Sequence, residues 1–83
     1  MNNLDNYDID EEIEVHIQIG NDREWRKAKV VSKQLICDYR TKVKHRPYTM
    51  LVVEVVRTYF NNKTQKYYDK LNTEGFVYNS QVR

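Results

Sequence analysis

Cations and aromatic rings are the residues here whose types and spacing point to chemistry. Between Arg23 and Arg46 stand nine cations, Arg23, Arg26, Lys27, Lys29, Lys33, Arg40, Lys42, Lys44 and Arg46. They face only Glu24 and Asp38, a net of +7. Trp25 lies inside this run and Tyr48 just beyond it. Cations on phosphates supply affinity for nucleic acid, and flat side chains supply platforms on which unpaired bases stack. The expected chemistry is therefore recognition of RNA or single-stranded DNA through a basic and aromatic face around residues 23–48. With about 4–6 phosphate contacts, log K against log salt would fall with a slope of about −4 to −5.

The charge is uneven along the chain. Residues 1–14 hold Asp5, Asp8, Asp10, Glu11, Glu12 and Glu14 and no Lys or Arg, whereas residues 15–83 carry a net +8. A basic domain led by an acidic arm suggests an intramolecular competitor for the basic face. Asp5, Asp8, Asp10, Glu11 and Glu12 would form that arm. The rival function is a protein-interaction module. In it the arm imitates a nucleic acid, or the apolar residues Ile36, Val52 and Val56 face outward and meet a partner. The richness in Asn, Lys, Ile and Tyr suits an A+T-rich gene, so a small phage protein that blocks a host factor is one form of this reading. A homodimer through the strand from Met50 to Phe60 is another. An acidic protein surface is an alternative partner for the cations.

Catalytic and metal chemistry find little support. Cys37, His16 and His45 show no CxxC, HxH or HExxH spacing, so neither a metal nor a cofactor is expected. The glycines Gly20 and Gly75 stand far apart, and no Gly-rich phosphate loop exists. Cys37 falls on an apolar strand parity, where a thiol behaves as a small hydrophobe. The enzymatic alternative is metal-independent RNA cleavage, with His45 between Lys44 and Arg46 and with Glu54 or Tyr48 nearby. The expectation is a protein that is not an enzyme.

These residues must be carried by strands. From Ile9 to Ile19 apolar residues fill most odd positions and polar ones the even, the alternation of a strand with one buried face. Gly20-Asn21-Asp22 marks a turn. From Trp25 to Arg40 the apolar parity switches from even (Ala28, Val30) to odd (Val31, Leu35, Cys37). One extra residue near Val30-Val31, a bulge, accounts for the switch and bends the strand into two halves. Residues 41–49 contain Pro47 and read as a loop. Met50–Phe60 is the strongest strand, with Leu51, Val53 and Val55 inward. Asn61–Thr64 is expected to turn into a strand over 65–71. Asn72–Gly75 is expected to turn again into Phe76–Tyr78, with Val82 closing the core.

Eighty-three residues make one core, with residues 1–8 as a flexible acidic arm and 9–83 as a single domain. No apolar run approaches the length of a membrane span, no signal peptide is recognisable, and one cysteine fits a reducing cytoplasm. The fold expected is mostly β, five or six antiparallel strands closing into a small barrel with a bent second strand.

At Trp25-Arg26-Lys27-Ala28-Lys29-Val30 the chain resembles the second strand of SH3-like and Tudor-type barrels, a likeness extending over residues 13–60. The resemblance implies a binding module. Tudor-type modules read methylated Lys or Arg in aromatic cages, and Trp25, Tyr39, Tyr48 and Tyr59 are the rings available. No motif places the acidic residue such cages include. Lys44-His45-Arg46-Pro47 before an apolar strand is also similar to the loop preceding a core strand in small barrel-type ribonuclease toxins. Those proteins are longer and carry the element nearer the N-terminus.

Overall fold

A computed structural model describes residues 4–37 and 47–83. Its described residues form one antiparallel sheet in the order β1-β2-β3-β4, with β1 at Glu12–Ile19, β2 at Asp22–Ile36, β3 at Tyr48–Asn61 and β4 at Lys66–Phe76. The protein is mostly β, as the alternation requires. The sheet is open, with four strands where five or six closing into a barrel were expected.

Two local reasons reduce the count. The segment after Trp25 stays a single strand through its bulge, and Asn72–Gly75 does not turn. These four residues pair without interruption opposite Val52–Val55, so 66–76 is one strand. A Cβ on Gly75 would lie 2.6 Å from the Met50 sulfur, so the glycine makes room for that side chain. The loop before β3 also ends earlier than expected, since Tyr48 and Thr49 already pair with Ile36 and Leu35.

The bulge appears where the parity switch demands it. Val30 pairs with Val53 and Ser32 with Val52, leaving Val31 as the extra residue. Lys33 and Leu35 accordingly share a face with Val30, yet both are exposed, since β2 has there run past β1, whose pairing ends at Lys29. Cys37 is exposed as well, rather than packed as a small hydrophobe.

The inner face gathers Ile13, Val15 and Ile17 from β1, Ala28 and Val30 from β2, Leu51, Val53 and Val55 from β3, and Phe76 from β4. A four-stranded sheet exposes this face unless something covers it. Here Leu4, in a 3₁₀ turn over Leu4–Asn6, and Val82, after a second over Asn79–Gln81, supply the missing layer. Residues 4–11 therefore do not behave as a free arm. Leu4 is 1% exposed. The Thr49 hydroxyl donates to the Asp5 carboxylate, and Lys33 donates to the Asp5 carbonyl at 3.2 Å. The Asp10 amide donates to the Val30 carbonyl at 2.7 Å, and the Val30 amide to the Glu11 carbonyl at 3.0 Å.

Stagger shapes the rest. β2 pairs with β1 over 22–29 but with β3 over 28–36, so the two hairpins share only the crossing at Ala28 and Lys29. Beyond it the β3–β4 hairpin runs on as a two-stranded finger from Val56 to Leu71. The radius of gyration is 15.1 Å, against about 12 Å for a compact chain of this length, and the extents are 49 × 29 × 18 Å. Arg57 ties the finger back to the β1–β2 hairpin by donating from Nη1 to the Gln18 carbonyl, while its Nε meets the Glu74 carboxylate at 2.5 Å. The β1–β2 turn is a two-residue loop with positive φ at Gly20 alone (61°), the pattern of a type II′ turn.

Candidate nucleic-acid interface

Alternation puts Arg23, Trp25, Lys27 and Lys29 on one face of β2, opposite the core, because the bulge comes only after Val30. Arg26 belongs to the other face, opposite Val15, and closes on Glu24 at 2.8 Å. Lys33 lies beyond the bulge on the core side, reaching Asp5. Tyr48 pairs with Ile36 at the far end of β2 from Trp25. Arg40, Lys42, Lys44 and Arg46 lie outside the described residues, as do His45 and Tyr39. The basic residues of the sequence run are thus not gathered into one patch among the described residues.

Register decides what the remaining lysines face. Glu12 stands directly opposite Lys29, Glu14 opposite Lys27, and Glu54 on the other side of Lys29. Asp10 adds an ion pair to Lys29 at 3.5 Å. Directly opposed side chains have Cβ atoms about 5 Å apart, close enough for carboxylates to cancel much of a lysine's field. Of the acidic arm expected to compete for the basic face, Glu12 lies along it as part of the sheet and Asp10 joins it at Lys29, whereas Asp5 is held on the core side by Thr49 and Lys33.

Trp25 is neither core nor free. Its ring stacks on His16, its cross-strand partner, with centroids 4.8 Å apart and planes at 15°. The Arg83 guanidinium sits 4.1 Å from the ring centre and also reaches Glu14 at 3.4 Å. Cation–π and stacking contacts of this kind occupy the π surface a base would need.

The finger carries four exposed rings. Tyr59 opposes Tyr68 on its core-side face, with centroids 5.7 Å apart, and Phe60 opposes Tyr67 on the other face at 5.4 Å. All four are exposed, Tyr67 at 75%. The Asn72 amide donates to the Tyr59 hydroxyl, and Thr58 donates to Asp69 at 2.6 Å, which orients the finger's polar groups. Lys63, Lys66 and Lys70 lie on the same hairpin, against Asp69 alone between Val56 and Leu71. Sequence reading missed this site because no alternation marks it. Its signal was the adjacent pairs Tyr59-Phe60 and Tyr67-Tyr68 placed symmetrically about the turn, which put a ring on each face of both strands.

The apolar trio Ile36, Val52 and Val56 does share the outer face, although Glu54 separates Val52 from Val56. β3 is paired on both sides over Leu51–Val55, whereas from Val56 to Asn61 β4 is its one partner strand among the described residues, so of the Met50–Phe60 strand expected to mediate a dimer the stretch from Val56 onward keeps an unpaired edge. Among the described residues no three His, Cys, Asp or Glu side chains gather to hold a metal. Among them no helix is long and apolar enough to cross a membrane. Comparison with protein-family models, with curated proteins and with solved structures finds no match.

Proposed function

We propose that this protein is a non-enzymatic cytoplasmic module that binds RNA or single-stranded DNA, with the β3–β4 finger as its principal contact. The observation that carries the reading is the finger's four exposed rings, paired across the strands on its two faces, Tyr59 stacked on Tyr68 and Phe60 tilted against Tyr67, and flanked by Lys63, Lys66 and Lys70. Exposed rings cost solvation unless a partner covers them, and a base offers a π-face to each. Lys27, Lys29 and Arg23 are a secondary rim, weakened by Glu12, Glu14 and Glu54. The bulged second strand and the tight first turn are features that the likeness to SH3-like barrels leads one to expect of a binding scaffold.

Anisotropy of a labelled oligouridylate and of the matching oligothymidylate tests the reading. Tyr67→Ala with Tyr68→Ala should weaken binding roughly 10-fold or more, since a stacked base is worth about 1–3 kcal/mol. Lys66→Ala should lower the salt slope by about 0.7. Trp25 fluorescence should scarcely change on binding, because His16 and Arg83 already cover the ring. Binding that ignores the tyrosines, or that quenches Trp25 strongly, would return the interface to β2. No binding to either oligomer would favour the protein-partner reading, with Val56 and Leu71 as its apolar contact.

A further inference from the structure

The two edges of the sheet differ. The outer edge of β1 is covered in part, since Glu14 and Arg83 exchange backbone hydrogen bonds at 2.8 and 2.9 Å and Val15 bridges Val82. The outer edge of β4 has no such cover among the described residues. Its eleven residues pair with β3 in unbroken register, with no bulge and no proline to blunt the strand. An edge of this kind leaves a row of amides and carbonyls ready for a further strand.

We infer that β4 pairs antiparallel with β4 of a second copy of this chain, about a two-fold axis at Leu71, making one eight-stranded sheet. The choice of occupant and register follows from side chains. With Leu71 on the axis, Leu71 opposes Leu71, Tyr67 opposes Gly75 and Lys70 opposes Asn72. No like charges meet. Leu71 and Tyr67, 57% and 75% exposed, are the large apolar residues of β4's outer face, and this register covers both. Tyr67 lands on Gly75, which has no side chain and carries the Met50 thioether above it, a favourable neighbour for a ring. Moving the axis to Lys70 would set that lysine against itself. Moving it to Asn72 would set Lys70 against Glu74, which Arg57 already holds at 2.5 Å, and would leave Leu71 facing Thr73. The pair draws Tyr67 into its seam and leaves the Tyr59–Tyr68 face of the finger open, and the inference does not rest on nucleic-acid binding.

Cross-linking and light scattering, both without nucleic acid, test it. In a Cys37→Ser background, Leu71→Cys places two thiols across the axis at a separation a disulfide spans, whereas Asn72→Cys puts them on the other face and out of register. Oxidation should give a covalent dimer at least about tenfold faster for Leu71→Cys than for Asn72→Cys. The unmodified chain should scatter as a dimer at high concentration. Leu71→Lys should raise the dissociation constant by about tenfold or more, with an unchanged circular dichroism spectrum. A monomer at every concentration, or equal cross-linking at both positions, would overturn the inference.

Discussion

Truncating Leu4 to alanine tests whether the segment before β1 is part of the core. Leu4 is among the largest fully buried side chains, alongside Ile17, Leu51 and Val15. Leucine-to-alanine changes at such sites cost about 2–5 kcal/mol, the removed methyls plus the cavity they leave. The first turn is a short element held by few other ties: the Asp5 carboxylate on Thr49, the Asp5 carbonyl on Lys33, and the Asp10 and Glu11 backbone pairing with Val30. It can yield when its anchor shrinks, so the loss should fall between about 2 and 4 kcal/mol. For 83 residues a total stability of about 4–12 kcal/mol is expected, so the variant forfeits a large share. Equilibrium urea unfolding, followed by Trp25 fluorescence and by circular dichroism, reads this as a midpoint lowered by about 1 M or more. Val56→Ala, at a 40% exposed position on the opposite face, is the control and should cost under about 1 kcal/mol. A Leu4→Ala loss below about 0.5 kcal/mol at unchanged slope would refute the packed N-terminal turn.

Two further outcomes follow from single contacts. Gln65 closes the finger's loop at φ 53°, a left-handed conformation that costs a side chain about 1–2 kcal/mol, so Gln65→Gly should gain about 0.5–1 kcal/mol net of glycine's added chain entropy, read as a raised melting temperature. Arg57→Met should cost about 2 kcal/mol, because it leaves the partly buried Glu74 carboxylate without its guanidinium while Oε2 already lacks a protein partner. Adding Glu74→Met to it should restore much of that loss in a urea-unfolding double-mutant cycle.

Legibility tracked the range of the interaction. The inward residues Ile13, Val15 and Ile17, the Leu51-Val53-Val55 face and the bulge at Val31 were readable because side-chain parity is a property of the local backbone. The first turn was readable because Gly20 marks a positive φ. A chain that is mostly strand, with Trp25, Lys27 and Lys29 on one face, followed from those rules alone. Tertiary structure decided how far each strand runs, and hence that Asn72–Gly75 stays in β4 and the sheet remains open. It also decided which acids oppose Lys27 and Lys29, and that His16 and Arg83 cover Trp25. Those outcomes depend on register and stagger between segments distant in the chain. Shifting a strand by two residues keeps every side chain on its face yet exchanges all of its cross-strand neighbours, so alternation alone cannot choose among them.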